Sequence, residues 1–215
     1  MNTLLYSIAE RRVLRAEWPE ISKPVSPGSL VKPFTALAYA QAHHYFYPNH
    51  FCRGAADRCW LVKGHGKLGI RDAVAYSCNH YFRQLAMGLP AHATATLLGL
   101  FGIGVPEADV DTQIGLGTAW QVKPVELAAA YAELLSRPAD PGIFPLIDGM
   151  RRAARYGTAK ALGAGYLAKT GTGPNAKFDG DGYAVIAYPE AAPRELVLLQ
   201  AVGVTGAKAV EMFRR

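Results

Sequence analysis

The sequence contains no apolar run long enough to cross a bilayer as a helix, which needs about 20 residues. Residues 1–12, Met-Asn-Thr-Leu-Leu-Tyr-Ser-Ile-Ala-Glu-Arg-Arg, place no basic region ahead of a hydrophobic block and do not read as a signal peptide. Taken at face value, such a product is expected to stay in the cytoplasm. The net charge of +6 is spread along the chain, with no Lys/Arg block, zinc-finger spacing or stacking motif, so no nucleic-acid partner is expected. A mild positive excess is compatible with an anionic polymer or a membrane surface. Cysteine is scarce: Cys52, Cys59 and Cys78 are an odd number and exclude a simple disulfide framework. Asp and Glu are absent between Glu20 and Asp57. There is no internal repeat and no low-complexity segment.

What is present is 215 residues, half of them apolar, enough for one well-packed domain over 1–215 and too few for two comfortable ones. Leu4–Ile8 and Val13–Ala16 alternate around a polar Glu10-Arg11-Arg12 turn and predict a hairpin. Helical patterning fills the middle: from Ser29 to about Ala42, Gly69 to Met87 with a break at Ser77-Cys78-Asn79, Ala91 to Phe101, Pro124 to Ser136, and Met150 to about Leu162. Phe51–Lys67, Gly102–Gln121 and Pro138–Gly149 read as loops. Tyr166–Thr172, Tyr183–Tyr188 and Leu196–Val204 then read as three strands of an antiparallel meander, and Thr205-Gly206 as the cap of a last helix running to the C-terminus. The expected class is α+β: one five-stranded antiparallel sheet built from both chain ends, covered by helices, with the Ser29 helix near the middle.

Three short stretches carry chemistry. In Pro27-Gly28-Ser29-Leu30-Val31-Lys32-Pro33-Phe34, a turn delivers Ser29 to a helix start, and Lys32 lies one turn on along the same face. A hydroxyl with an amine at that distance is the geometry of an activated nucleophile. Ser77-Cys78-Asn79 sets a hydroxyl and an amide two residues apart at a helix break. Lys169-Thr170-Gly171-Thr172 ends a strand, with a cation, two hydroxyls and a glycine that lets backbone approach a ligand. Taken alone, the first two read better as helix caps, the first with a solvated lysine, and the third also reads as an ordinary hairpin turn. Together and in this order, Ser-x-x-Lys, Ser-x-Asn and Lys-Thr-Gly are the signature of penicillin-binding proteins and their β-lactamase relatives.

The chain thus resembles the transpeptidase domain of class B penicillin-binding proteins, notably the elongation type. The resemblance also covers Gly64-His65-Gly66, His80-Tyr81-Phe82, Ile114-Gly115-Leu116-Gly117 with the helix from Pro124, Gly157-Thr158-Ala159, Asp179-Gly180 through Pro189, and Thr205-Gly206-Ala207. Two features depart from it: the interval from Asn79 to Lys169 is short, and the membrane anchor and pedestal domain are not seen. The resemblance implies a serine acyl-enzyme D,D-transpeptidase acting on D-Ala-D-Ala stem peptides of peptidoglycan, bound by β-lactams. It implies a place in the periplasm or cell envelope, and other cell-wall synthesis proteins as partners. Ser29 would be the nucleophile and Lys32 its base, with a pKa lowered by positive charge and burial. Ser77 would relay a proton to the leaving amine, and Asn79 would hold the substrate amide. Lys169 would keep Lys32 neutral and attract the substrate carboxylate that Thr170 and Thr172 bind beside Gly171, and the N–H groups of Ser29 and Thr172 would form the oxyanion hole. The alternatives are a D,D-carboxypeptidase or β-lactamase-like hydrolase, and a non-catalytic penicillin-sensing module.

The chemistry itself requires no cofactor. Cys52, Cys59, His65 and Cys78 nevertheless make a Cys3His set suited to a structural Zn²⁺. Elongation-type relatives resemble this chain in having a His in a Gly-His-Gly segment and a Cys inside the second motif. A Cys52–Cys59 disulfide with a free Cys78 is the rival expectation, favoured by an oxidising compartment.

Overall fold

The computed structural model describes residues 1–90, 93–175, 177 and 180–213, without the side chains of 93–96. Ala91, at the start of an expected helix, Asp179, and the C-terminal end of the last expected helix lie outside the described residues.

The N-terminal hairpin forms as expected, β1 (Asn2–Ser7) against β2 (Arg12–Glu17). A turn of 3₁₀-helix (Gly28–Val31) leads into α1 (Lys32–Ala42). Two three-residue strands, β3 (His50–Cys52) and β4 (Gly66–Leu68), pair across what reads in the sequence as a loop. Strands of three residues are too short to show a periodic pattern, and the flanking glycines mask them. The helical stretch over Gly69–Met87 forms two helices, α2 (Ile70–Tyr76) and α3 (Asn79–Met87), with the expected break where Ser77 adopts a left-handed φ of 53°. Next come α4 (Ala93–Phe101), a short α5 (Val110–Gln113) inside the expected Gly-rich loop, and α6 (Pro124–Leu135). A further helix, α7 (Phe144–Arg155), begins six residues earlier than its sequence suggests. Pro145 occupies its first turn, where a missing N–H is harmless. Gly149 lies inside it because a Cβ there would stand 2.5 Å from Val74 Cβ on α2. The chain closes with β5 (Leu167–Gly173), β6 (Asp181–Tyr188), β7 (Glu195–Val202) and α8 (Gly206–Phe213).

The five long strands form one antiparallel sheet in the order β2-β1-β7-β6-β5. Both of its faces are covered. Tyr183, Val185, Leu196 and Leu198 pack in the core with Leu30, Phe34, Leu127 and Tyr131, whereas Ala184, Ile186, Val197 and Leu199 pack with Ala154, Leu162, Ala209 and Val210. This is why β6 and β7 are buried along their length instead of at alternate positions. Helix α1 is buried almost all round, as a central helix must be. It places Lys32 at the centre of the molecule, and β5, at the sheet edge, brings Lys169 beside it.

Candidate active site and thiol cluster

The turn carrying Ser29 lies directly on the backbone of β5. Gly28 has φ +59°, and a Cβ on it would stand 2.3 Å from the Thr172 carbonyl oxygen. A Cβ on Gly171 would stand 2.2 Å from the Pro27 carbonyl oxygen. Only glycine at both positions allows this approach. The Tyr131 hydroxyl donates to the Leu30 carbonyl oxygen at 2.6 Å from the buried side and fixes the turn from below.

Ser29, Ser77, Asn79, Thr170, Gly171 and Thr172 line one cleft of about 330 Å³. Lys32 and Lys169 lie fully buried beneath it. Lys32 Nζ donates to the Ser77 carbonyl oxygen at 3.0 Å and to Asn79 Oδ1 at 2.6 Å, and stands 3.5 Å from Ser77 Oγ. Lys169 Nζ donates to Ser77 Oγ at 2.8 Å and to its neighbour's carbonyl oxygen, Thr170 O, at 2.7 Å. A neutral amine has two N–H groups and one lone pair. The two short bonds of Lys32 use both N–H groups, which leaves the lone pair to accept a proton.

Burial lowers Lys32 from 10.5 to about 7; the Cys78 and Cys59 sulphurs pull it upward, and Arg83 presses it slightly further down. That fall corresponds to about 5 kcal/mol against the ammonium, more than the roughly 1.5–3 kcal/mol that a hydrogen bond to a charged group returns. Lys169 is held well below its usual value, first by burial and then by the charge of Lys32. Nor does Lys169 face the cleft as a free cation: both of its bonds are to protein oxygens.

The two threonines differ. Thr172 Oγ1 accepts the Gly206 N–H at 3.1 Å, so its own proton is free for a ligand. Thr170 donates to Thr158 Oγ1 at 2.6 Å, and Thr158 lies 3.4 Å from the Ala75 carbonyl oxygen that accepts its proton. Thr158 and the cleft wall Trp60 have no sequence signal of their own, beyond the place of Thr158 in a segment of the family resemblance and of Trp60 next to Cys59. The Trp60 indole N–H points to the Tyr76 and Ser77 carbonyl oxygens, each at 3.2 Å.

On the other side of the 77–79 turn, Cys52, Cys59, His65 and Cys78 converge, with their donor atoms all within 4.8 Å of one another. Cys52 Sγ and Cys59 Sγ each lie 3.6 Å from His65 Nδ1, and Cys59 Sγ lies 3.8 Å from Cys78 Sγ. A tetrahedron with Zn–S of about 2.3 Å and Zn–N of about 2.05 Å has S···N edges of about 3.6 Å and S···S edges of about 3.8 Å. The donor set fits. All three cysteines are free thiols in the structure. The His65 ring lies between Trp60 and Tyr76, 5.4 and 5.5 Å away, and its Nε2 is buried without a partner.

The model of the penicillin-binding protein transpeptidase domain matches residues 15–209. No curated protein sequence matches the chain. Among solved structures, PBP2 of Pseudomonas aeruginosa in complex with WCK 5153 superposes with a TM-score of 0.81 at 18% identity, covering 98% of this chain and 69% of that one. The complex of PBP2 and MreC from Helicobacter pylori gives 0.78 at 15%, covering 99% and 58%. The imipenem acyl-enzyme of penicillin-binding protein A from M. tuberculosis gives 0.76 at 16%, covering 99% and 71%. At these identities the likeness is one of fold. The match of the family model over most of the sequence carries the assignment: this chain belongs to the penicillin-binding protein transpeptidase domain family.

Proposed function

We propose that the chain is the catalytic part of a peptidoglycan D,D-transpeptidase that works through an acyl-enzyme on Ser29. The observation that carries this is the pair of buried amines, Lys32 and Lys169, both within reach of the Ser77 hydroxyl beneath a cleft that Ser29 lines. Ser29 Oγ attacks the carbonyl of the penultimate D-Ala of a stem peptide, and its proton passes to the lone pair of Lys32. The Ser77 hydroxyl, supplied from Lys32 and Lys169, hands a proton to the leaving D-Ala amine. Asn79 holds the donor amide, and the Thr172 hydroxyl and the β5 edge hold the carboxylate. The N–H groups of Ser29 and Thr172 receive the oxyanion, at about 3–4 kcal/mol per donor. An amine of a neighbouring stem peptide then takes the acyl group. Hydrolysis by water ranks lower because no carboxylate lines the cleft among the described residues to serve as a deacylation base. The test is intact-mass spectrometry after benzylpenicillin: one adduct is expected, lost in Ser29→Ala. An adduct that survives the substitution refutes the assignment. Product analysis with and without an acceptor amine then separates transfer from hydrolysis.

The same reading puts the working protein in the cell envelope, beside its polymer and the other proteins that build it. Among the described residues no helix is long and apolar enough to cross a membrane.

For the thiol cluster we propose a structural Zn²⁺ held by Cys52, Cys59, His65 and Cys78, with all four positions filled by protein. The tetrahedral fit of the donor distances supports it. The ion would stabilise the 54–65 loop and fix Cys78, and with it Ser77 and Asn79. Elemental analysis of protein purified without a His-tag should find about one zinc per chain, lost in His65→Ala. Metal-free wild-type protein would dismiss the site.

A further inference from the structure

The cluster is built from three sulphurs and one nitrogen, and sulphur brings redox chemistry that carboxylate ligands would not. Cys59 and Cys78 stand 3.8 Å apart on two different segments. Cys78 sits in the turn between α2 and α3, its N–H bonded to the Ala73 carbonyl oxygen. Cys59 sits in the loop after the 3₁₀ turn Gly54–Asp57, where Trp60, Val62 and Lys63 are exposed. Of the three cysteines Cys59 is the most exposed residue, at 7% against 1% for Cys52 and 0% for Cys78. Cys52 is held in β3 by its pairing with Gly66 on β4. An incoming oxidant therefore meets Cys59 first, and Cys78 is the thiol already at van der Waals distance from it.

We propose that Cys59 and Cys78 form an oxidation-sensitive pair, whose conversion to a disulfide by a peroxide releases the zinc and slows acylation at Ser29. This rests on the zinc reading above. The step balances. The Cys59 thiolate attacks one oxygen of hydrogen peroxide, forming an S–O bond as the O–O bond breaks, to give a sulfenic acid and hydroxide. The Cys78 thiolate then attacks the Cys59 sulphur, the S–S bond forms, and the S–O oxygen leaves as a second hydroxide. In sum, two thiolates are oxidised by two electrons, peroxide is reduced to two hydroxides that take up protons, and Zn²⁺ departs because only Cys52 and His65 remain as ligands.

The link to acylation is geometric. The two sulphurs must close from 3.8 Å to about 2.05 Å. Ser77 and Asn79, on either side of Cys78, supply the oxygens that hold the N–H groups of Lys32 at 3.0 and 2.6 Å. A shift of the turn, together with the loss of the ion that fixes it, misaligns both. Outside the cytoplasmic membrane, where the family acts, no thiol pool keeps such cysteines reduced. The metal would then be what protects them.

The experiment takes zinc-loaded protein through a hydrogen peroxide titration with three readouts: zinc release measured with a colorimetric chelator, disulfide mapping by peptide mass, and the rate of labelling by a fluorescent penicillin. The expected result is one zinc released per chain, a Cys59–Cys78 disulfide, and labelling slowed about tenfold or more. Dithiothreitol with added Zn²⁺ should restore the rate, which separates the disulfide from methionine oxidation. Zinc retained under peroxide, a disulfide that includes Cys52, or unchanged labelling once the Cys59–Cys78 bond has formed would each overturn the proposal. Absence of zinc before peroxide is added is a different result and refutes the metal reading itself.

Discussion

Two clusters of polar side chains lie back to back across one three-residue turn, and they differ in almost every physical respect. The cleft side is open, lined by hydroxyls, and underlaid by two amines that burial keeps near neutral. The thiol side brings soft donors to within 4.8 Å of one another, close enough for an ion and too close for a substrate. Cys78 is extended, at φ −65° and ψ 110°, between a left-handed Ser77 and the first residue of α3. Around this turn Ser77 and Asn79 serve Lys32 while Cys78 serves the cluster. A non-glycine residue held left-handed costs on the order of 1–3 kcal/mol and persists only where its surroundings fix it. Here the surroundings are Lys169 on one side of the turn and the thiol cluster on the other.

The comparison breaks most sharply at Lys32. Lys32→Ala should lower acylation by penicillin about a thousandfold, within the range for loss of a positioned base, and leave the zinc content intact. Acylation near the wild-type rate would remove Lys32 from the mechanism, and loss of metal would show that the two sides cannot be separated. The same amine sets the pH dependence. Below about 7 Lys32 is protonated and has no lone pair to accept the Ser29 proton, so the labelling rate should fall about tenfold per pH unit on the acid side and level off above. Stability moves in the same direction. An unfolded lysine keeps its proton up to about 10.5, so between pH 7 and that value the unfolded chain binds more protons and stability rises with pH. The contribution should vanish in Lys32→Met, read as the difference in Tm between pH 7 and 9.

Breaking the thiol side should have a smaller effect on acylation and a larger one on stability. His65→Ala and Cys78→Ser should each remove the zinc, lower Tm by about 5–10 °C, and slow labelling about tenfold, through the turn and not through the chemistry. A variant that loses zinc with no change in Tm or rate would uncouple the two regions.

The long strands are legible because Leu4–Ile8, Tyr183–Tyr188 and the segment from Leu196 are apolar runs bounded by turn residues. Helix α7 was half hidden because Pro145 and Gly149 read as breakers, although one sits in a first turn and the other against Val74. In the site, local motifs named Ser29, Lys32, Ser77, Asn79 and Lys169, but not which oxygen each amine meets. That depends on α1 and β5 both reaching the 77–79 turn from residues far apart in the chain. The residue types of Cys52, Cys59, His65 and Cys78 suggest both an ion and a disulfide, and the convergence of all four donors becomes visible only in the fold.

The smallest expected effect is at Thr158, which meets the cleft through one hydroxyl. Thr170 donates to it at 2.6 Å, and its own backbone N–H is tied to the Ala75 carbonyl oxygen at 3.0 Å, at the end of α2. Thr170 thereby turns its lone pairs toward the cleft, while Thr172 keeps a proton to donate. Thr158→Val keeps the shape and removes the acceptor. The net worth of one such bond is about 1 kcal/mol, or about fivefold in rate. The second-order rate constant for penicillin labelling should therefore fall about fivefold, with zinc content and the pH of levelling unchanged. An unaltered constant would mean that Thr170 is oriented by β5 alone. A loss approaching that of Lys32→Ala would place Thr158 in the proton path, and the division between the two sides of the turn would need redrawing.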